Sequence, residues 1–225
     1  MTSENPPPLD TGQKRGIRLT VAFALVFIAG ILGMFIHGLN QAPALSDEEL
    51  KARGVFLFDK PRSFKTFELL DYEGKPFTLE SLKGKWSLIF FGFTYCPDVC
   101  PTTMALLNRF YEKQLDGDYA GDLQIVMVSV DPARDTPEKL YDYVRYFNPD
   151  FIGVTGEFLD LHRLATQLNI PFNKQPGGGE NYLVEHSGNV AIINPRGHYV
   201  GFFRAPLNLS QLTTGYESIR ASRRY

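Results

Sequence analysis

Cysteine is scarce in this sequence, and an excess of basic charge is absent. The 225 residues include two cysteines, and 23 lysines and arginines are balanced by 25 acidic residues, for a formal net charge of −2. Two cysteines exclude a disulfide-dense scaffold, and without a basic stripe nucleic acid is not expected as a partner. Hydrophobic residues make up 44% of the chain and charged residues 21%, as in an ordinary globular domain.

Charge is also missing from one long segment. Residues 19–36 form an apolar run of 18 residues with no charged side chain, close to the length of about 20 residues that crosses a bilayer. Lys14, Arg15 and Arg18 precede the run, and the next charged residue is Asp47. The positive-inside rule therefore predicts a cytoplasmic segment 1–18, a transmembrane anchor 19–36 and an exported remainder.

A cleaved signal peptide is the alternative to an anchor. Ala42 and Ala44 could form an A-x-A cleavage site. However, the apolar run is longer than a usual signal-peptide core, and Pro43 lies inside the candidate site. The segment before the run is acidic and proline-rich rather than arginine-rich, unlike a mitochondrial transit peptide. The favoured location is a bacterial inner membrane, with a single span and the domain facing the periplasm.

After a linker at 37–53, the order of elements predicts one α/β domain over residues 54–225. Continuous apolar runs at 86–93 and 123–130 predict strands buried on both faces. Hairpins come before and after the βαβ unit that these strands form. Further strands are predicted at 54–58, 67–71, 75–79, 151–154, 190–193 and 199–203, and helices near 46–53, 102–114, 136–147, 157–168 and 210–225. A hairpin that closes a βαβ core predicts a thioredoxin-like fold.

Residues 170–182 form the least regular segment of this predicted domain. The segment contains two prolines and three consecutive glycines, so it predicts a mobile loop.

Cys96 and Cys100 lie between the strand at 86–93 and the helix at 102–114, where α/β sheets place their reactive sites. Residues four apart on a helix have Cβ atoms about 5–6 Å apart, too far for a disulfide. However, Pro101 disfavours a helical Cys100 and favours a turn. The spacing therefore leaves a metal-binding pair, a redox pair and a static disulfide open.

A third ligand would come from the four histidines. His37 ends the apolar run, His162 lies on a predicted helix, and His198 lies in a predicted hairpin turn. His186 follows the glycine segment, and in a thioredoxin-like fold its position faces the cysteine turn, where a cis-proline usually sits. Two thiolates and an imidazole suit copper better than calcium or magnesium, so His186 is the favoured third ligand.

Three stretches together resemble the Sco/SenC family of copper proteins. They are G-F-T-Y-C-P-D-V-C-P-T at 92–102, V-S-V-D-P-A-R-D-T-P-E at 128–138 and V-E-H-S at 184–187. The resemblance extends from about Phe56 to the end of the chain. In the second stretch, Asp131 and Asp135 are interpreted as bracing the turn before the next helix, although Asp131 could also orient the site.

The resemblance implies a thioredoxin fold and copper, as Cu(I), Cu(II) or both, bound by Cys96, Cys100 and His186. It also implies that the protein delivers copper to, or reduces the thiols of, the copper-A site on subunit II of cytochrome c oxidase. Glu185 stands where this family often has Asp, and Tyr95 stands where other residues occur. Neither departure removes a ligand.

Several functions remain open on these residues. A copper chaperone, the favoured reading, needs all three ligands and is not an enzyme. A thiol–disulfide oxidoreductase that keeps the copper-A cysteines reduced, or a redox sensor, needs both cysteines but not the histidine. A thiol peroxidase needs one cysteine that can form a sulfenate. Expected partners are cytochrome c oxidase subunit II, other copper chaperones or thiol reductants, and the lipid bilayer around the anchor.

Overall fold

The computed structural model describes residues 11–40, 45–115, 121–177 and 179–222. The chain divides into two compact units, Met1–Pro43 and Ala44–Tyr225. The first unit holds a helix of 30 residues, α1 (Thr11–Asn40), which extends beyond the predicted span at both ends. Within α1, the 21 residues Arg15–Phe35 are long and apolar enough to cross a membrane, and none of this stretch is buried. The candidate cleavage residues Ala42 and Ala44 lie outside the described residues.

The second unit is a mixed α/β structure. Its helices are α2 (Asp47–Ala52), α3 (Val99–Leu115), α4 (Pro137–Phe147), α5 (Phe158–Gln167) and α6 (Leu209–Ser222). Its strands are β1 (Val55–Arg62), β2 (Leu69–Asp71), β3 (Pro76–Phe77), β4 (Trp86–Gly92), β5 (Leu123–Ser129), β6 (Ile152–Thr155), β7 (Phe172–Lys174), β8 (Val184–His186), β9 (Val190–Ile193) and β10 (Tyr199–Phe203). One sheet of eight strands has the order β1-β10-β9-β4-β5-β6-β2-β3, and β7 pairs with β8 in a separate hairpin.

The two central strands fix the edge of the sheet at which the site lies. β4 and β5 run parallel in register from Trp86 opposite Leu123 to Gly92 opposite Ser129. Every residue of both strands is buried, as their continuous apolar runs predict. Because the two strands end side by side, the segments that follow them emerge at the same edge. The amide of Val130 donates to the carbonyl of Gly92 at 2.9 Å and holds these segments together.

α3 lies directly after the cysteine loop and is anchored by its apolar face. Met104, Leu107 and Phe110 recur at helical spacing and are completely buried. The ring of Phe110 packs edge to face on Tyr216 of α6 at 5.6 Å between centroids. Burial of each such side chain contributes about 1.5–3 kcal/mol, so the start of α3 is held against a fixed core.

The turn predicted for Cys100 is wrong, because α3 begins at Val99 and already includes that residue. A proline is tolerated in the first turn of a helix, since the amide hydrogen that it lacks would have no partner within the helix. Pro101 therefore sits inside α3 without breaking it.

The irregular loop predicted over 170–182 is wrong in part. Phe172–Lys174 forms β7, which pairs antiparallel with β8 so that Phe172 lies opposite His186. The amide of Gln175 extends this pairing with a hydrogen bond to the carbonyl of Leu183 at 2.8 Å. His186 is therefore carried by a strand of a hairpin rather than by an irregular segment. The mobility of the rest of the segment stays a prediction.

Candidate metal centre

Cys96 lies in the loop between β4 and α3 and is half-buried, whereas Cys100 lies in the first turn of α3 and is completely buried. Both are free thiols in this structure. The amide of Cys100 donates to Cys96 Sγ at 3.4 Å, and the amide of Cys96 donates to the carbonyl of Phe93 at 3.2 Å. The first turn of the helix thus aims a backbone donor at the more accessible sulfur.

Gly92, the last residue of β4, makes room for the buried sulfur. A Cβ atom at this position would lie 3.2 Å from Cys100 Sγ and 2.8 Å from the ring of Phe90. Since a side chain of any size would collide with these atoms, glycine allows the sulfur to pack against the end of the strand.

His186, at the end of β8, brings an imidazole to the cysteine pair. Its Nε2 atom lies 4.0 Å from Cys100 Sγ, and its Nδ1 atom lies 2.9 Å from the carbonyl oxygen of Val184. Because a carbonyl only accepts hydrogen bonds, Nδ1 carries the proton and the lone pair of Nε2 is free to face the sulfur. The imidazole is therefore held in the tautomer that metal ligation through Nε2 requires.

Burial sets the protonation state of the histidine. The rings of Phe90 and Phe93 pack edge-on against the imidazole, with centroids at 6.4 and 5.9 Å. Removal from water lowers the pKa of His186, more than the interactions with the backbones of Val184 and Phe91 raise it. The ring is therefore neutral at neutral pH, and the neutral form is the one that binds metals.

Burial acts in the opposite sense on the buried thiol. Removal from water raises the pKa of Cys100, and its hydrogen bond with Cys96 adds to the increase. Without a metal, Cys100 is a neutral thiol. A metal ion that binds there must displace its proton, so binding is coupled to proton release.

The separation of Cys100 and His186 fits a shared metal ion. A sulfur at about 2.3 Å and a nitrogen at about 2.0 Å from one metal lie about 3.5–4.3 Å apart for bond angles from tetrahedral to linear. The observed distance of 4.0 Å lies within this range. Across the described part of the chain, no three His, Cys, Asp or Glu side chains are already grouped closely enough to hold a metal ion. A third ligand from Cys96 would therefore need its side chain to turn towards the other two.

The other histidines lie elsewhere in the fold. His162 lies on α5, with its ring 6.1 Å from that of Phe158 and 6.0 Å from that of Phe172. His198 lies in the turn before β10, where its amide donates to Asn194 Oδ1 at 3.0 Å. The side chain of His37 lies outside the described residues.

Asp135 makes contacts that the sequence interpretation did not anticipate. The interpretation of Asp135 as a brace for the following turn is incomplete, because its carboxylate reaches back to the cysteine loop. It accepts hydrogen bonds from Thr94 Oγ1 and Ser129 Oγ, each at 2.6 Å, and from the Thr94 amide at 3.1 Å. Asp135 therefore connects the loop before Cys96 to the end of β5.

Asp131 also reaches beyond its own turn. It forms an ion pair with Arg134 and accepts a hydrogen bond from the hydroxyl of Tyr182, at 2.5 Å in each case. Since Tyr182 lies just before β8, Asp131 links the end of β5 to the segment that carries His186. Neither link has a local sequence signal, because the partners lie 51 residues apart for Tyr182 and 41 for Thr94.

These features define a class of protein: a thioredoxin-like domain with a dithiol loop at the edge of its sheet and a histidine facing it. A sequence model of the SCO1/SenC family matches residues 59–219. The chain belongs to the SCO1/SenC family, and the family resemblance and the thioredoxin-like fold predicted from the sequence are confirmed.

Individual relatives agree with this assignment. The chain is 42% identical to a candidate copper-binding protein of Stutzerimonas stutzeri over 163 residues, which span 72% of this chain and 79% of the relative. The crystal structure of Arabidopsis thaliana ScoI with copper bound has a TM-score of 0.66 at 33% identity and matches 70% of this chain and 98% of that one. Yeast Sco1 with copper bound has a TM-score of 0.61 at 31% identity and matches 73% of this chain and 91% of that one.

Proposed function

We propose that this protein is a membrane-anchored copper chaperone that binds copper through Cys96, Cys100 and His186. The observation that carries the proposal is the distance of 4.0 Å between Cys100 Sγ and His186 Nε2, with the free lone pair of the imidazole facing the sulfur. Two thiolates and one imidazole form a soft ligand set that favours Cu(I). Copper in the structures of two relatives, at 33% and 31% identity, supports the choice of metal.

The recipient that we propose is the copper-A centre on subunit II of cytochrome c oxidase. Membership of the SCO1/SenC family supports this recipient. The proposed arrangement has a cytoplasmic segment at 1–18, an anchor at 19–36 in a bacterial inner membrane, a linker at 37–53 and a periplasmic copper-binding domain at 54–225. The long apolar helix α1 supports a single anchor.

Copper binding by the full chain in detergent tests the ligand set. The reduced protein competes with a chromophoric chelator for Cu(I), and we expect one copper per chain. His186→Ala removes a ligand, so it should weaken binding by more than the roughly 10- to 100-fold that loss of an outer-shell partner costs. Cys100→Ser should act in the same direction. His162→Ala is the control, because its ring packs on Phe158 and Phe172. Unchanged affinity in His186→Ala would overturn the three-ligand site.

A second function, thiol–disulfide exchange, is favoured by the unequal exposure of the two sulfurs. Cys96 is half-buried and Cys100 is completely buried. Cys96 is therefore placed to attack a substrate disulfide, and Cys100 is placed to resolve the mixed disulfide that results. In this reaction, the Cys96 thiolate attacks a substrate disulfide and releases one substrate thiolate. Cys100 then loses its proton as its sulfur attacks Cys96 Sγ, and the second substrate sulfur leaves as a thiolate that takes up a proton. The substrate disulfide gains two electrons and ends as two thiols, while the two cysteines become a disulfide that a thiol reductant must reduce.

The two functions differ in their need for the histidine. Reduced, metal-free His186→Ala should still reduce a model disulfide at the wild-type rate, but it should bind copper weakly. If this variant retains full copper affinity and full exchange activity, exchange is the better description of the site. If the wild-type protein exchanges disulfides no faster than Cys100→Ser, the redox function is excluded.

A further inference from the structure

We propose that Arg134 is a positioning residue of this metal centre. Its side chain holds the segment that carries His186 against the cysteine loop. Arg134 lies in the turn between β5 and α4, and it supplies no metal ligand. The inference rests on the proposed function, because it assigns a role towards the copper ligands. Its structural basis is a set of contacts from one side chain to three separate parts of the chain.

The first contacts join the turn after β5 to the segment before His186. Arg134 Nε forms an ion pair with Asp131 Oδ2 at 2.5 Å, and Arg134 Nη2 donates to the backbone carbonyl of Tyr182 at 2.8 Å. The arginine side chain is 13% exposed and that of Asp131 is 3% exposed, so the pair is largely removed from water. A hydrogen-bonded ion pair that is shielded in this way holds its geometry better than a surface pair.

A third hydrogen bond closes the connection into a ring of three residues. The hydroxyl of Tyr182 donates to Asp131 Oδ1 at 2.5 Å. Arg134 and Asp131 thus hold Tyr182 by its carbonyl and by its hydroxyl. The guanidinium carbon also lies 3.6 Å from the centroid of the Tyr182 ring. Tyr182 is buried and precedes His186 by four residues, so these contacts fix the entry to β8.

The guanidinium also contacts the other side of the centre. Its carbon lies 4.7 Å from the ring centroid of Tyr95, the residue before Cys96, and 5.9 Å from that of Phe93. The Phe93 ring in turn packs against His186. One planar cation therefore touches the cysteine loop and the segment that carries the histidine, the two parts whose separation sets the distance from Nε2 to Sγ.

An arginine is required for this set of contacts. Its planar fork presents several donors in fixed directions, so it can bind a carboxylate and a carbonyl at once while its face packs on aromatic rings. A lysine at this position could pair with Asp131, but it could not reproduce the fork. Loss of an outer-shell partner typically weakens metal binding by about 10- to 100-fold, and that is the effect expected here.

The test is a double-mutant cycle with the full chain in detergent, read by competition of the reduced protein for Cu(I). Arg134→Met should weaken binding by about 10- to 100-fold and Arg134→Lys by less. In the His186→Ala background, Arg134→Met should change the affinity by less than about threefold, because the residue acts through the histidine. The matched control is Arg145→Met. Arg145 also lies near an aromatic ring, that of Tyr141 at 4.9 Å, and donates to a carbonyl, that of Pro149 at 3.1 Å.

A second readout needs no copper and therefore stands apart from the proposed function. In the metal-free protein, Arg134→Met should speed hydrogen exchange of the amides of residues 183–187 at least several-fold, while Arg145→Met should leave them unchanged. Arg134→Lys, which keeps the charge, serves if the methionine variant does not fold. If the amides of residues 183–187 exchange hydrogen at the wild-type rate in Arg134→Met and Arg134→Lys, the positioning role is wrong.

The outcomes separate the two proposals. If His186→Ala has no effect on copper binding, the proposed ligand set is wrong. The hydrogen-exchange result can still show that Arg134 holds β8 in place. If His186→Ala weakens binding but Arg134→Met does not, the ligand set stands and the positioning role fails. If Arg134→Met weakens copper binding equally in the wild-type and His186→Ala backgrounds, the positioning role is also wrong. Equal losses of affinity would show that Arg134 does not act through the histidine.

Discussion

Replacement of Asp135 tests the link between the cysteine loop and the core. Asp135 is completely buried, and its carboxylate accepts hydrogen bonds from Thr94 Oγ1, from the Thr94 amide and from Ser129 Oγ. Asp135→Ala removes this acceptor and leaves three donors without it. Asp135→Asn keeps the shape and one acceptor oxygen, so the two variants separate the hydrogen bonds from the charge.

The magnitudes follow from these contacts. A hydrogen bond to a charged group is worth about 1.5–3 kcal/mol, and a buried donor left unsatisfied costs about 1–3 kcal/mol. Ser129 is completely buried, but Thr94 is half-buried and water can replace part of its loss. The cost of keeping a carboxylate away from water offsets part of the gain. The net loss of unfolding free energy at neutral pH should be about 2–4 kcal/mol for Asp135→Ala. For Asp135→Asn it should be less than about 1.5 kcal/mol, because the amide can also donate to Ser129 Oγ.

The same comparison predicts a dependence on pH. Burial raises the pKa of Asp135 above its ordinary value of 3.8, more than the hydrogen bonds from Ser129 and Thr94 lower it. The folded state therefore holds this proton more tightly than the unfolded state, and the associated stability is complete below pH 3.8. It is lost as the pH rises through the raised pKa. The stability of the wild-type protein relative to Asp135→Asn should thus be greater at pH 4 than at pH 7.

Urea unfolding provides the assay, with the fluorescence of Trp86 as the probe. This residue is the single tryptophan of the chain and is buried in the core, so its emission reports on the folded domain. Two outcomes would refute the reasoning. One is a loss below about 1 kcal/mol in Asp135→Ala, a value that a single neutral hydrogen bond would explain. The other is a relative stability of the wild-type protein that grows with pH.

Two further predictions concern the cysteines. Gly92→Ala should lower the unfolding free energy by about 1–3 kcal/mol, because its Cβ atom would lie 2.8 Å from the Phe90 ring and 3.2 Å from Cys100 Sγ. The control in urea unfolding is Gly188→Ala, whose added carbon would meet only Ala205 Cβ, at 3.3 Å. In the reduced, metal-free protein, iodoacetamide should label Cys96 well before Cys100, because Cys100 is 0% exposed; equal labelling by peptide mass spectrometry would contradict the burial argument.

The architecture was largely predictable because its signals are local. The apolar runs at 86–93 and 123–130 contain β4 and β5, which are buried along their whole length. The helix predicted near 136–147 is α4, which begins at Pro137, and the Thr136 side chain accepts from the amide of Lys139. Thr136 is a favourable N-cap and Pro137 fits the first helical position, so this boundary depends on neighbouring residues alone. The pattern needs no knowledge of the tertiary structure.

Other features depend on contacts between distant parts of the chain. β7 has three residues, and its pairing with β8 is antiparallel across a segment rich in glycine and proline. So short a strand has no periodicity to detect. The hydrogen bonds that join Asp131 and Arg134 to Tyr182 connect residues about 50 positions apart in the sequence. The motif V-S-V-D-P-A-R-D-T contains Asp131 and Arg134, but it does not show that Arg134 faces Tyr95 and Tyr182.

The bond from His186 Nδ1 to the carbonyl of Val184 has a mechanical consequence. Its acceptor belongs to the backbone two residues earlier in the same strand, so this hydrogen bond ties the orientation of the imidazole to β8 itself, while the Phe93 ring packs against it from the cysteine loop. The position of Nε2 relative to Cys100 Sγ therefore follows from where β8 lies, and the contacts that hold β8 in place also set the geometry of the metal centre.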